Sequence, residues 1–363
     1  MVQMQHIIIK IVQQIRDSLS QRPTDKRIDV FFDKIFKEYN DLLFQLDKHI
    51  NIAKQFATIE HVEQRILQSL RDYFNGHLYG AIGEIDFLLQ DINLVDGFNV
   101  SILRTNDIWY RGRIVEGNAR LYKKKEMFHI PDHMREKVNN QRFSLNGYPC
   151  LYLGKSIWAC WEELDEPHLD DICFSAMKLT KDIKVLDLSI PTNEQIENKT
   201  LDEIVKFLTT MPVTIACSVK TLNEKANFKS EYVVPQLLMA NLINSSYFDG
   251  FLFSSTKRNP ALNWREDYLQ NVVLPIDGTI DEDGLCISLK KKFLITDSIS
   301  YKYEFLKSNV SNMITASEQE VRAIVDEVFR DKKQIATDED MYPRALFGQM
   351  EDLLKKKEFS EIS

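Results

Sequence analysis

The chain has no C-x-x-C pair. Its five cysteines, Cys150, Cys160, Cys173, Cys217 and Cys286, are scattered through mostly apolar surroundings. An odd, unpaired set suits buried thiols in a reducing compartment rather than a disulfide framework. No stretch approaches the ~20 consecutive apolar residues that span a bilayer. The early run Ile7-Ile8-Ile9 is too short for a signal peptide, and Lys10 interrupts it. The expectation is a cytoplasmic protein with no membrane partner. A basic excess is also missing: the formal net charge is −8, which argues against nucleic acid as a partner. It leaves room for a small basic pocket that takes a phosphorylated small molecule. G-x-G-x-x-G, G-x-x-x-x-G-K-[ST] and G-x-S-x-G are all absent, which removes the two common phosphate cradles and the hydrolase elbow. There is no internal repeat and no low-complexity segment.

What is present is an α+β pattern in a chain of 363 residues, longer than one core usually organises. Apolar residues recur at three/four spacing in four sets: Ile8 to Leu19, Phe31 to Ile50, Ile59 to Tyr73, and Leu78 to Ile92. That spacing predicts four amphipathic helices, with Pro23 and Gly76 at joints. A helical bundle over 1–97 follows. Beyond Asp96-Gly97 the period changes. Strands are expected at Ile172 to Leu179, Lys184 to Ile190, Val213 to Val219, Gly250 to Phe253, Asn271 to Ile276 and Leu285 to Leu289. Helices are expected at Asn193 to Thr209 and Val233 to Asn244. This mixed region, 98–300, lacks regular β-α-β alternation. A C-terminal helical extension over 301–363 is expected to hold helices at Glu318 to Lys332 and Met341 to Lys357.

The functional signal concentrates between Gln141 and Leu164. Arg142 opens the stretch and Asn146-Gly147 makes a turn. Cys150 to Leu153 reads as a strand, Gly154 breaks it, and Ile157 to Leu164 has helical spacing that ends on Glu162 and Glu163. Upstream, Trp109-Tyr110-Arg111-Gly112-Arg113 puts two arginines on the same side of a strand. Guanidinium is the side chain suited to bidentate grip on phosphate. His129 and His133 do not read as a metal pair, because Pro131 lies between them and no third ligand stands near. No metal is expected. Trp158 and Trp161 read first as core.

These motifs, in order, resemble the RES domain family. The order is Tyr-Arg-x-Arg, then Arg-Phe-Ser-x-x-Gly-x-Pro-x-Leu-Tyr-Leu, then a glutamate eleven residues after that tyrosine. Glu231 to Leu238 and Phe248 to Ser255 follow in turn. The resemblance covers Ile108 to Pro275. It implies an ADP-ribosyltransferase-like fold in the mixed region and consumption of NAD as substrate, by hydrolysis, phosphorolysis or transfer of ADP-ribose. It implies a bacterial toxin with an antitoxin protein as partner. Residue by residue, it puts the family's functional groups on Arg111, Tyr152, Glu163 and Ser255. Arg113, Glu162 and Ser254 are the neighbouring registers. Arg113 and Arg142 are candidates for gripping the substrate.

The chemistry suits these types. Nicotinamide leaves NAD as a neutral base, so the leaving group needs no acid, unlike the oxygen of an ordinary glycoside. One carboxylate, Glu163, then suffices to face the developing positive charge and orient the nucleophile. The bundle more loosely resembles HEPN helical domains, whose ribonuclease members use an arginine and a histidine on one helix; Arg71 and His77 match that spacing. Gly76 before His77 signals a helix end, so the residues favour a structural bundle that gates the second domain or pairs two copies of the chain. The alternatives to NAD cleavage are thus a ribonuclease built on Arg71 and His77, or a nucleotide-binding module without turnover.

Overall fold

The computed structural model describes residues 2–23, 27–49, 52–115, 121–244, 247–257, 266–301, 304, 342 and 346–362. It is an α+β protein. Four helices come first: α1 (Val2–Ser20), α2 (Ile28–Asp47), α3 (Ala53–Phe74) and α4 (Leu78–Leu94). They match the four periodic sets, and Ile11, Ile35, Ile66 and Ile85 are buried at their centres. Gly76, at φ +80, ends α3. There the amide of His77 donates to Asp72 O and that of Gly76 to Tyr73 O, the pattern of a glycine-closed helix. His77 therefore precedes α4 instead of continuing α3.

Eight strands form one sheet in the order β1-β5-β6-β7-β3-β2-β4-β8. They are β1 (Val100–Leu103), β2 (Ile108–Ile114), β3 (Cys150–Gly154), β4 (Ile172–Leu179), β5 (Ile183–Leu188), β6 (Gly250–Ser254), β7 (Gln270–Pro275) and β8 (Phe293–Ile295). β5 and β6 pair in parallel; the other neighbours are antiparallel. β2 and β3 share one register pair, Tyr110↔Gly154, and then separate.

Two expected strands are helical. Val213 to Val219 falls on the end of α7 (Leu201–Ser218), and of Leu285 to Leu289 the residues from Ile287 fall on α9 (Ile287–Lys290), Cys286 making only an isolated bridge with Ile280. From Phe207 to Ser218 every residue of α7 is buried, because the helix lies between α3 and β5. An element covered all round shows no amphipathic period, and a short apolar run reads equally as strand or helix. The helix expected over Asn193 to Thr209 is divided into α6 (Asn193–Asn198) and α7. Thr192 and Thr200 each form a capping box, with Gln195 and Glu203, and so start two helices.

Period two divides the sheet into two faces. On one, Phe251, Phe253, Val273 and Tyr152 pack against the bundle, α7 and α8 (Val233–Asn244) in a single apolar cluster. Tyr110, Phe174 and Ala176 continue that face under α5 (Ile157–Glu163) and α10 (Leu346–Lys355). On the other, Trp109, Leu151, Leu153, Met177, Leu252 and Val272 pack beneath Met127, Phe128 and Leu285. Of the expected C-terminal helices, Met341 to Lys357 corresponds to α10, and Glu318 to Lys332 lies outside the described residues. No described helix is long and apolar enough to cross a membrane.

Candidate active site and adjoining cleft

The helix α5 carries Glu163 as its last residue and is held at both ends. Ser156 caps its start, accepting from the amide of Ala159 and donating to Tyr268 O at 2.6 Å. Gly154 lets the chain fold back: a Cβ there would lie 2.8 Å from Cys160 Sγ and 3.0 Å from Ser156 O. From α10, Glu351 Oε1 accepts from the amide of Ile157 at 2.9 Å and from the Tyr342 hydroxyl at 2.7 Å. Burial raises the pKa of Glu351. Trp158 and Trp161 pack on Phe347 and belong to the core. At the far end, Asp165 (φ 65) and Glu166 (φ 53) adopt left-handed backbone and turn the chain sharply away. Lys257 Nζ donates to Glu163 O and to Asp165 Oδ1, both at 2.7 Å, complementing the negative helix end.

Glu163 and its neighbour Glu162 part company here. Glu162 is 4% exposed. Glu163 is half-buried, and its Oε1 accepts from Asn271 Nδ2 at 3.0 Å. Asn271 is itself buried, fixed between Gly154 of β3 and Phe253 of β6. Next along, the Ser255 amide donates to Leu269 O at 3.0 Å, and its Oγ accepts from the Lys257 amide at 3.3 Å. Ser254 faces the other way with Leu252, its Oγ accepting from the Ile190 amide. Arg142 is buried. It donates to Cys217 O at 3.2 Å and Thr256 Oγ1 at 3.0 Å, with its guanidinium 4.8 Å over the Tyr232 ring. Tyr152 shares a 2.8 Å hydrogen bond with Ser144 Oγ. Burial holds its phenol well above the ordinary pKa of 10.0, so it acts as a neutral hydroxyl.

The loop after β6 thus joins three of the expected groups. Thr256 receives Arg142, Lys257 donates to the end of α5, and Ser255 directly precedes them and accepts from the Lys257 amide. Arg111 and Arg113 are placed differently. The Tyr110↔Gly154 register puts Tyr152 on the face of Tyr110, and puts both arginines on the opposite face with Trp109. Arg111 Nη1 donates to the main-chain carbonyl of Tyr152 at 2.7 Å, filling the gap where β2 and β3 separate. Burial, and then Arg113, lower its pKa to about 10. Arg113 donates to Glu126 O and lies 5.2 Å over the Tyr122 ring.

The other candidates have structural surroundings. His129 Nε2 accepts from the Cys286 amide at 2.8 Å, and its Nδ1 lies 2.8 Å from Ile130 O, so that nitrogen carries the proton. Burial lowers its pKa to about 4. Among the described residues no group of three His, Cys, Asp or Glu is arranged to hold a metal. Arg71 lines two surface hollows that do not include His77.

A cleft of about 1020 Å³ wraps the carboxyl ends of β5 and β6. Ser255 and Thr256 belong to its wall; Arg111, Tyr152 and Glu163 are not among the residues that line it. The carboxyl ends of parallel strands are where open sheets bind ligands. Sequence reasoning missed Asn271 and Lys257. Asn271 was visible as an amide opening the apolar run Val272 to Ile276, and Lys257 as a cation two residues after Ser255.

The chain is similar to a protein of Bacillus subtilis (strain 168) named "Putative toxin YopC". The two are 29% identical over 295 residues, 76% of this chain and 66% of that protein; the chain therefore spans just under two thirds of that relative. No family model matches the chain, and no solved structure matches it.

Proposed function

We propose that this chain is a toxin that breaks the nicotinamide–ribose bond of NAD, with Glu163 as its carboxylate. The observation that carries the reading is the setting of Glu163. It is a half-buried carboxylate held by the amide of a buried asparagine, and Lys257, which holds the end of its helix, lies two residues after Ser255, a wall residue of a cleft of about 1020 Å³. The name of the similar Bacillus subtilis protein supports the toxin role.

In this mechanism the C1′–N1 bond breaks and its electron pair stays on nicotinamide, which departs neutral. The ribose carbon becomes an oxocarbenium ion facing Glu163. Water, phosphate or a protein side chain then forms the new bond at C1′, and Glu163 takes the proton that a hydroxyl nucleophile releases. Asn271 holds Oε1, leaving Oε2 to face the substrate. Tyr152 positions the ribose as a neutral hydroxyl, and Arg142 fixes the Ser255–Thr256 loop. The test is nicotinamide release from NAD, with mass spectrometry of the products to distinguish ADP-ribose, its phosphate ester and a modified protein. Glu163→Gln is expected to lower the rate about 10²-fold or more with an unchanged melting temperature. Wild-type rates in that variant would overturn the assignment.

A further inference from the structure

The cleft has one wall whose donors lack acceptors. Trp109 is 1% exposed and lines the cleft, yet its buried indole N–H has no hydrogen-bond partner among the described residues. An unpartnered buried donor is unusual and calls for an explanation. Lys155 lines the same wall. Its ammonium sits 4.8 Å over the Trp109 ring, and no carboxylate pairs with it among the described residues. Its main chain is fixed, with the Lys155 amide donating to Gln270 O at 2.8 Å. The carboxylate on the cleft floor, Asp187, is already occupied. It accepts from Ser101 Oγ at 2.6 Å, from the Ser189 amide at 2.9 Å and from Ser189 Oγ. Asp17 and Glu194 also line the cleft; they belong to α1 and α6, across from the sheet.

An ammonium held over the face of a buried indole, with no carboxylate beside it among the described residues, fits an acceptor-rich anion. A volume of about 1020 Å³ exceeds what a lone oxyanion fills and suits a nucleotide. We propose that Lys155 and Trp109 form the subsite that receives the phosphate groups of a nucleotide in this cleft. The choice of a nucleotide rests on the NAD reading, whereas the anion subsite does not depend on Glu163. Because Lys155 directly precedes the cap of α5, a phosphate held there lies on the chain segment that also sets Glu163.

Calorimetric titration of the full chain with ADP, inorganic pyrophosphate and adenosine tests this. ADP is expected to bind the wild type, and Lys155→Met to weaken it about tenfold or more, the effect of losing one charge-assisted contact. Adenosine, which has no phosphate, is expected to bind both proteins alike. Lys155→Arg restores ADP affinity, and pyrophosphate alone shows the same Lys155 dependence, which separates phosphate capture from recognition of the base. Trp109→Phe keeps the ring and removes the donor, and is expected to weaken ADP severalfold; unchanged affinity would strike the indole from the subsite. Failure of ADP to bind, equal affinity in Lys155→Met, or an equal loss for adenosine would overturn the proposal. Glu163→Gln separates the two readings. If it still cleaves NAD while Lys155→Met has lost ADP, the glycosidic assignment fails and the phosphate subsite stands.

Discussion

On one face of the sheet, the Glu163 carboxylate accepts from the Asn271 amide and stays half-buried. On the other, Arg111 commits its guanidinium to a main-chain carbonyl of β3. Both residues look alike in sequence, each a charged group beside apolar strand or helix residues. The difference lies in what surrounds the charge. Glu163 ends a short helix at the edge of the core, and its second oxygen is the one the proposed chemistry uses. Arg111 fills a gap between two splayed strands, where its charge-assisted hydrogen bond completes the sheet. A charged group thus stays open to a substrate, as proposed for Glu163, or fastens main chain, as Arg111 does, according to what its element packs against.

That contrast can be broken most directly at Glu163. Glu163→Gln is expected to cut nicotinamide release about 10²-fold or more, measured as an initial rate on protein whose melting curve matches the wild type. Arg111→Met should do the reverse. It leaves the Tyr152 carbonyl without its charged donor and costs about 1.5–3 kcal/mol of stability, read by urea denaturation, while the rate per folded molecule stays within a few-fold. A raised apparent Kd for NAD with unchanged stability would instead return Arg111 to the substrate. The same comparison separates Arg111→Lys, which keeps charge without the planar fork.

Asn271→Ala sharpens the account of the first face. Loss of the donor that holds Glu163 is expected to lower kcat about tenfold, the equivalent of one hydrogen bond to a charged group, with KM little changed. Asn271→Asp should be worse than alanine, because it sets a second carboxylate against the first.

Two buried ionisable groups extend the comparison to pH. In the bundle, Glu63 is 6% exposed and accepts from Asn40 Nδ2 at 2.7 Å; burial raises its pKa from 4.5 to about 8. Its folded pKa is above its unfolded one, so its contribution is full below about 4.5 and is lost as pH rises through about 8. Beneath the sheet, His129 is lowered from 6.5 to about 4 by burial. Its contribution is full above about 6.5 and is lost as pH falls through about 4. Melting temperatures from pH 4 to 9 should therefore fall at both ends. Glu63→Gln should flatten the alkaline limb and leave the acid limb in place; an unchanged alkaline limb would show that Glu63 ionises freely. The smallest effect on stability is expected for Tyr152→Phe, which loses one neutral hydrogen bond to Ser144, about 0.5–1.5 kcal/mol; a fall in rate beyond that reports the proposed ribose contact.

Much of the fold was legible. The four helices of the bundle follow apolar spacing, because each buries one stripe and leaves the other wet. β4 and α8 have the bounds that their composition predicts. The end of α7 was illegible for the opposite reason: it is buried on every side, so no alternation records its geometry. The candidate site was legible only in part. The block from Arg142 to Glu163 is contiguous, and its turn, strand and helix follow from Gly147, Gly154 and Ser156. The partners of that block come from elsewhere. Asn271 lies 108 residues beyond Glu163, and Lys257 lies 94 beyond it.

By itself, the sequence determined the four helices of the bundle, β4 and α8, which side chains share a side of one strand, and that one carboxylate closes α5. These depend on near neighbours along the chain. Tertiary structure alone decided that β3 pairs with β7 and separates from β2. That brought Asn271 to Glu163 and set Arg111 behind the sheet, because strand order is chosen by the burial of whole faces rather than by any local spacing.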